Sequence, residues 1–244
     1  MANDAFVNCY ADERRAEAYA TLDFARTYHL AFRDLPAIFR RHVRASAALD
    51  FGCGTGRSTR FLRECGFDAI GIDVSPQMIA KANAIDPGGD YRLIDAADFA
   101  QSCGASFDLV LSAFTFDNVA TLKRKATLFR SLAAVLNTDG AIVSVVSSPA
   151  IYVHEWASFS TRAFPENQTA RTDDLVKIIT TDYPDSRPVE DILCTDDSYR
   201  EVFERAGLGV EAMYEPLATG DEPYDWVNET RIAPWVIYVL RKII

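Results

Sequence analysis

Short apolar runs alternate with amphipathic stretches through the middle of the chain. The runs predicted to be β-strands are Ala47–Phe51, Ala69–Ile72, Tyr91–Ile94, Phe107–Leu111 and Ala141–Val146. Helices are predicted at Arg57–Cys65, from Ser75-Pro76 onward, and at Leu122–Leu136, where Leu128, Leu132 and Leu136 share one face. Strands separated by helices predict right-handed crossovers and a parallel sheet with helices on both faces.

The last third of the chain changes character. Tyr199–Ala206 is amphipathic and is followed by Gly207, which predicts a helix with a glycine after its end. Val210–Tyr214 and Trp235–Leu240 suit two further strands, joined by the acidic loop Ala218–Arg231. The predicted fold class is therefore α/β, with a seven-stranded, mostly parallel sheet and an antiparallel C-terminal edge hairpin.

Two segments fit neither pattern. One is the N-terminal helical region Tyr10–Val43, within a predicted cover at residues 1–45, and the other is an insertion at 147–194 after the fifth strand. Because open α/β sheets bind ligands at the carboxyl ends of their strands, we expect both segments to cover that edge. We predict one domain over residues 1–244, a length that a single α/β domain commonly reaches.

Composition and charge limit the kinds of molecule that this protein is expected to bind. The formal net charge of −10 disfavours a nucleic-acid partner, whose phosphates attract basic surfaces. The five cysteines are widely spaced and form no C-x-x-C pair, so no metal site is expected and the thiols suit a reducing compartment. No apolar run approaches 18 residues and the N-terminal stretch is acidic, so we expect a cytoplasmic protein without a membrane partner.

The segment ALDFGCGTGRSTRFL at 48–62 places three glycines between the first strand and the first helix of the sheet. Glycines at such a turn let the backbone approach a ligand closely. The spacing is G-x-G-x-G, and Arg57 stands where a nicotinamide-dinucleotide fingerprint would have its third glycine. A phosphate-binding G-x-x-x-x-G-K-[ST] run is absent from the sequence.

Together with Asp50, this turn resembles motif I of the class I S-adenosylmethionine-dependent methyltransferases. Asp73, in GIDVSP, follows Gly52 at the end of the second strand, and Asp95 follows the third strand. The run FDLVLSAF at 107–114 resembles the fourth-strand motif of these enzymes, and the order of elements is similar to the small-molecule branch grouped as type 11. Ile94 is a departure, because many relatives have glycine before the acid.

The resemblance implies S-adenosylmethionine as the cofactor. It implies that the glycine turn shapes the methionine pocket, that Asp50 favours the ammonium group, that Asp73 holds the ribose, and that Ser112 and Ala113 lie beside the sulfonium. Val74 and Met78 would contact the adenine, whose edge Asp95 and Ala96 would recognise. The implied cofactor-binding residues are Asp50, Gly52, Cys53, Gly54, Gly56, Asp73, Val74, Met78, Asp95, Ala96, Ser112 and Ala113.

The sequence gives less information about the methyl acceptor than about the cofactor. The acidic charge, the aromatic residues and the lack of an N-P-P-Y motif after the fourth strand favour a small-molecule acceptor over adenine or glutamine. Candidate substrate contacts are Tyr28, Phe114, Phe116, Tyr152 and Trp156, and candidate catalytic residues are His154, His29 and Asp117. The sequence does not decide whether nitrogen, oxygen, carbon or sulfur is methylated. Two alternative functions also stay open: an enzyme that transfers or modifies another group, and a non-catalytic module that binds the cofactor.

Overall fold

The computed structural model describes residues 24–94, 106–182 and 187–243. The strands are β1 (Ala47–Phe51), β2 (Asp68–Asp73), β3 (Asp90–Leu93), β4 (Phe107–Ala113), β5 (Leu136–Ser147), β6 (Phe159–Ser160), β7 (Leu175–Thr180), β8 (Val189–Ile192), β9 (Leu208–Tyr214) and β10 (Trp235–Lys242). The helices are α1 (Thr27–Arg33), α2 (Leu35–His42), α3 (Arg57–Glu64), α4 (Pro76–Ile85), α5 (Leu122–Ala134) and α6 (Asp196–Arg205). Three 3₁₀ turns lie at Thr115–Asn118, Pro149–Tyr152 and Pro165–Thr169.

Seven strands form the main sheet in the order β3-β2-β1-β4-β5-β10-β9. The first five are parallel, and β10 runs antiparallel between β5 and β9. This confirms the predicted fold class, including the C-terminal antiparallel pair. The strand order reverses between β1 and β4, so their carboxyl ends flank the crevice in which such sheets bind ligands.

Alternate residues of each strand point to opposite faces of the sheet and build two apolar cores. Ala48 of β1 packs in the same cluster as Leu62 of α3 and Phe39 of α2. Its neighbour Leu49 packs on the other face with Phe129 of α5 and with residues of α6. The period-two alternation of a strand therefore explains how one sheet buries helices on both sides.

One predicted helix boundary is wrong. Leu128 and Leu132 are buried on α5, but the helix ends at Ala134, and Leu136 is the first residue of β5. The carbonyl of Val135 accepts the backbone N–H of Phe107 at 2.8 Å, which draws the chain into the sheet at that point. The three leucines therefore do not share a helix face, because tertiary pairing overrides the local pattern.

The N-terminal segment and the insertion after β5 pack together against one face of the main sheet. The described part of the N-terminal region supplies α1 and α2, whereas its residues 10–23 lie outside the described residues. The insertion after β5 forms a separate antiparallel sheet in the order β6-β7-β8, which the sequence did not predict. Aromatic residues of both segments join the apolar cluster on one face of the main sheet.

Glu229, in the loop before β10, ties the covering segments together. It is fully buried, and its carboxylate accepts the Thr27 hydroxyl of α1 at 2.6 Å and the Ala157 backbone N–H of the insertion at 2.8 Å. The N–H groups of Val227 and Asn228 donate to its second oxygen. A buried carboxylate satisfied in this way holds three sequence-distant segments in one place.

Candidate active site

The glycine turn between β1 and α3 has the backbone geometry that its sequence predicts. Gly52, Gly54 and Gly56 have φ angles of 75°, 53° and 79°. The N–H groups of Gly52 and Cys53 both donate to the Ile72 carbonyl at 2.9 Å, which fixes the turn to the end of β2. A methyl group on Gly52 would come within 2.3 Å of the Thr115 Oγ1, so glycine is required there for space as well as for conformation.

Asp73 ends β2 with its carboxylate fixed against this turn. Oδ2 accepts the Gly54 N–H at 2.9 Å and Oδ1 accepts the Ser75 N–H at 2.8 Å. Each oxygen keeps a further lone pair, so the carboxylate can also accept the two hydroxyls of a ribose. Burial raises the pKa of Asp73, and backbone hydrogen bonds from Ser75, Gly54 and Val74 oppose that shift.

Residues at the start of α4 lie next to Asp73 in the chain. Ser75 caps the helix, because its hydroxyl accepts the Met78 N–H at 3.3 Å. Met78 is buried and Val74 is half-buried, so an apolar surface is present where the resemblance implies adenine contacts. Asp95 and Ala96 lie outside the described residues.

Asp50 is fully buried below the glycine turn. Its Oδ2 accepts the hydroxyls of Ser58 and Thr59, both at 2.6 Å, whereas Oδ1 has no hydrogen-bond partner among the described residues. Burial raises its pKa to about 6, although the two hydroxyl groups favour the charged form. A buried acceptor with an open valence fits the ammonium group of the cofactor's methionine part.

The end of β4 offers a second buried polar atom. Ser112 pairs in register with Ser144 of β5, and neither hydroxyl has a hydrogen-bond partner in the described part of the chain. Ala113, the next residue, is half-buried at the carboxyl edge. That Ser112 and Ala113 lie beside the sulfonium stays a prediction from the resemblance.

Arg57 is a further candidate for cofactor binding, although the sequence analysis used it only to exclude a dinucleotide. Its guanidinium carbon lies 4.9 Å from the Phe24 ring centroid, 5.5 Å from that of Tyr28 and 5.8 Å from that of Phe32. It is the first residue of α3, directly after Gly56. The aromatic faces hold a cation beside the glycine turn, where it could pair with the cofactor's carboxylate.

A cleft lies beyond the carboxyl ends of β4 and β5, and the space around it, which includes open solvent, is about 450 Å³. Its lining comes from α1, the turn after β4, the end of β5, the inserted sheet and the start of β10. The lining residues are Tyr28, Phe114, Asp117, Asn118, Ser147, Phe159, Ile178, Thr180, Val189, Asp191 and Trp235. Of these, the sequence analysis named Tyr28, Phe114 and Asp117 as site residues.

Four aromatic rings form one side of the cleft. The Tyr28 ring centroid lies 5.8 Å from that of Phe114, 5.1 Å from that of Phe159 and 5.8 Å from that of Trp235. Phe114 and Trp235 are closer still, at 4.7 Å. Phe159 and Trp235 lie far from Tyr28 in sequence, so periodicity gives no signal that would group them.

Asp117 is the strongest candidate base in the cleft. It is buried, and its Oδ2 accepts the Ser147 backbone N–H at 3.1 Å and the Ser147 hydroxyl at 2.9 Å. Burial raises its pKa to about 6, whereas the nearby Lys125 ammonium and Ser147 favour the charged form. A carboxylate with this pKa is deprotonated at neutral pH and can still accept a proton from a substrate.

The remaining predicted acceptor contacts lie behind the cleft. Tyr152 is buried and donates its hydroxyl to Asp191 at 3.1 Å, and the Trp156 indole donates to the Ile151 carbonyl at 2.9 Å. Phe116 has no exposed surface and stacks on Phe129 with ring centroids 3.8 Å apart. Phe116 is therefore a core residue and is removed from the candidate acceptor contacts.

Neither candidate histidine is among the residues that line the cleft. The His29 ring lies 5.6 Å from the Tyr224 ring, and the His154 ring lies 6.2 Å from the Trp156 ring. Each therefore has an aromatic ring as a neighbour and lies outside the lining of this cleft. Asp117 is the one of the three candidate catalytic residues that the structure brings into the cleft.

Within the described ranges, no group of three or more His, Cys, Asp or Glu side chains could hold a metal ion. In the same part of the chain, no helix has the length and apolar character needed to cross a membrane.

A nucleoside that fits beside Asp73 would extend across the glycine turn toward Asp50 and Arg57, which offer a carboxylate and a guanidinium to an amino-acid tail. That combination of fold and site resembles the one found in the class I S-adenosylmethionine-dependent methyltransferases. More particularly, residues 49–144 match the family model described as a methyltransferase domain, type 11.

Curated relatives agree with this assignment. The chain is 33% identical over 122 residues to dTDP-3-amino-3,6-dideoxy-alpha-D-glucopyranose N,N-dimethyltransferase of Streptomyces fradiae, a match that covers 48% of this chain and 46% of the relative. It is 25% identical over 201 residues to trans-aconitate 2-methyltransferase of Klebsiella pneumoniae, covering 80% of this chain and 70% of that protein. This chain therefore aligns with less than half the length of the first relative.

A solved S-adenosylmethionine-dependent methyltransferase from Clostridium acetobutylicum has the same fold. Its TM-score is 0.65 at 14% identity, and the alignment covers 96% of this chain and 99% of that one. At this identity the likeness concerns the fold alone.

Proposed function

We propose that this protein transfers the methyl group of S-adenosylmethionine to a small organic molecule bound in the cleft beside Asp117. The observation that carries the proposal is the position of this buried carboxylate. It lies in the turn after β4, in a cleft that adjoins the carboxyl edge where the glycine turn and Asp73 would hold the cofactor. Donor and acceptor sites therefore meet at one edge of the sheet.

The cofactor supplies a methyl group activated by its bond to a sulfonium. The protein's own residues do the rest: Asp73 and the glycine turn bind the donor, and the aromatic wall excludes water and orients the acceptor. Asp117 accepts the proton that the acceptor loses, held in place by its two hydrogen bonds from Ser147.

A small-molecule acceptor is supported by the relatives and by the charge. Two of the curated relatives are named for acceptors of low molecular mass, an amino-sugar nucleotide and trans-aconitate, whereas another is named for 18S rRNA. The net charge of −10 disfavours a nucleic-acid substrate. A cytoplasmic location stays a prediction from the spacing of the cysteines.

The proposal is tested in two steps. First, S-adenosylmethionine and its demethylated product should each raise the melting temperature, and NAD should not. Second, incubation with methyl-labelled cofactor and a panel of small amines, alcohols, carboxylates and total RNA should label a small molecule and release the demethylated product.

Each other result has a definite meaning. If the mass of the acceptor increases by more than one methyl group for each cofactor molecule consumed, another group is being transferred. Cofactor binding without turnover on any member of the panel would favour a binding module, and label appearing on RNA alone would refute the small-molecule acceptor.

A further inference from the structure

The charges that line the acceptor cleft have one sign. Of the described residues that form its walls, Asp117 and Asp191 are the ionisable acids and no Lys or Arg is present. Both side chains are at most 5% exposed. An anionic acceptor placed here would face two carboxylates at short range in a medium that screens poorly, whereas a cation would be attracted.

Lys125 moderates this charge from behind the cleft without reaching it. It is fully buried, and its ammonium donates to the Phe116 carbonyl. It is not one of the lining residues. Among the described residues, two carboxylates therefore lie in the wall of the cleft, and the Lys125 ammonium lies outside its lining.

The aromatic wall favours the same kind of ligand. Tyr28, Phe114, Phe159 and Trp235 contact one another in the cleft with ring centroids 4.7 to 5.8 Å apart. The face of an aromatic ring carries partial negative charge, so rings combined with carboxylates recognise an ammonium attached to an apolar body. A hydroxyl group could donate a hydrogen bond to a carboxylate, but it would lack the attraction of a cation to the ring faces.

Thr180 adds an independent sign that a polar ligand binds here. It is 2% exposed and lines the cleft, and its Oγ1 has no hydrogen-bond partner among the described residues. An unsatisfied buried hydroxyl is costly, and a ligand with an N–H group or other polar group would satisfy it.

From these observations, and resting on the function proposed above, we infer that the acceptor is a small primary or secondary amine that binds as its ammonium form. Asp117 takes one proton from the ammonium, which frees the nitrogen lone pair. The nitrogen forms a bond to the methyl carbon while the carbon–sulfur bond breaks and its electron pair stays on sulfur. The products are an N-methylammonium and the neutral thioether, and Asp117 returns its proton to solvent.

Binding of matched ligands tests this inference without turnover. Benzylamine, benzyl alcohol and benzoate share one ring and differ in charge, and cyclohexylmethylamine with its alcohol and carboxylate forms a second set. Titration calorimetry at pH 7.5 with the demethylated cofactor present should show each amine binding at least tenfold more tightly than its alcohol. The carboxylates should bind more weakly than the alcohols.

The variants Asp117→Asn and Asp191→Asn should each reduce the preference for the amine to less than threefold. They should leave the affinity for the demethylated cofactor unchanged. Asp68→Asn, at an exposed position at the start of β2, is the matched control and should keep the full preference.

Equal or tighter binding of the carboxylates would overturn the inference, as would a preference for amines that survives in both cleft variants. Binding of none of the six compounds by protein that binds the demethylated cofactor also counts against it. Failure of the proposed function looks different, because the demethylated cofactor itself would then not bind.

Discussion

Replacement of Gly52 by alanine should separate two reasons for glycine at this turn. Gly52 and Gly207 both have a φ of 75°, a conformation that costs a side-chain-bearing residue about 1 to 2 kcal/mol. A Cβ at Gly207 would meet nothing within 4 Å, whereas at Gly52 it would lie 2.3 Å from Thr115 Oγ1 and 2.5 Å from its Cγ2. Gly207→Ala therefore measures the conformational cost alone.

The steric cost at Gly52 comes in addition. Overpacking a well-packed site costs typically about 1 to 3 kcal/mol, so Gly52→Ala should reduce the free energy of unfolding by ~2 to 5 kcal/mol, against ~1 to 2 kcal/mol for Gly207→Ala. Thr115 cannot simply turn away, because its hydroxyl donates to the Phe51 carbonyl at 2.9 Å. Urea denaturation of the cofactor-free protein provides the measurement.

A double-mutant cycle with Thr115→Ala identifies the clash directly. That substitution removes both nearest atoms, so the added cost of Gly52→Ala should fall in its background by roughly 1 to 3 kcal/mol. Calorimetric titration with the demethylated cofactor should show weaker binding to Gly52→Ala and unchanged binding to Gly207→Ala. Equal destabilisation by the two alanine variants, or zero coupling to Thr115, would refute this reasoning.

Three further predictions concern the acids of the site. Asp73→Asn should weaken binding of the demethylated cofactor by roughly 1.5 to 3 kcal/mol in calorimetry, because charged hydrogen bonds are lost; an effect no larger than that of Asp68→Asn would contradict the ribose assignment. Burial raises the pKa of Asp50 above its unfolded value to about 6, so the folded protein binds this proton more tightly than the unfolded chain does. The contribution of that proton to the free energy of unfolding is therefore lost as the pH rises through 6. Asp50→Asn should therefore melt higher than the parent at pH 8, with a gap that closes toward pH 4, and a gap independent of pH would argue against a buried charge. If Asp117 is the base, kcat/KM should rise as the pH increases through about 6, because the carboxylate must be deprotonated to accept a proton. The Asp117→Asn variant should lose this pH dependence and be slower by ~10²- to 10⁴-fold. If the variant keeps the pH dependence, the group that titrates is not Asp117.

The cofactor half of the site could be predicted from the sequence because its determinants are local. The turn at Gly52–Gly56 follows directly from a strand and precedes a helix, and left-handed backbone there demands glycine. Asp73 ends the next strand, and parallel strands β1 and β2 place their carboxyl ends side by side. Spacing along the chain therefore maps directly onto distance in space.

The acceptor half could not be predicted in the same way. Asp191, Thr180 and Trp235 reach the cleft from β8, β7 and β10. The sequence analysis assigned no strand to the insertion, although β7 has six residues with alternating burial. Phe116 was misplaced because it follows β4 in the chain like Phe114, although their rings face different sides of the sheet. Local order does not determine which side of a turn a ring will occupy.

The two halves also differ in what holds them together. The donor site is fixed by backbone hydrogen bonds within one contiguous stretch, from the glycine turn to Ser75. The acceptor cleft exists only because α1, the insertion and the loop before β10 meet, and Glu229 joins all three through buried hydrogen bonds. Acceptor specificity can therefore change through substitutions in the insertion and in the loop before β10, while the glycine turn and Asp73 stay constrained by their own geometry.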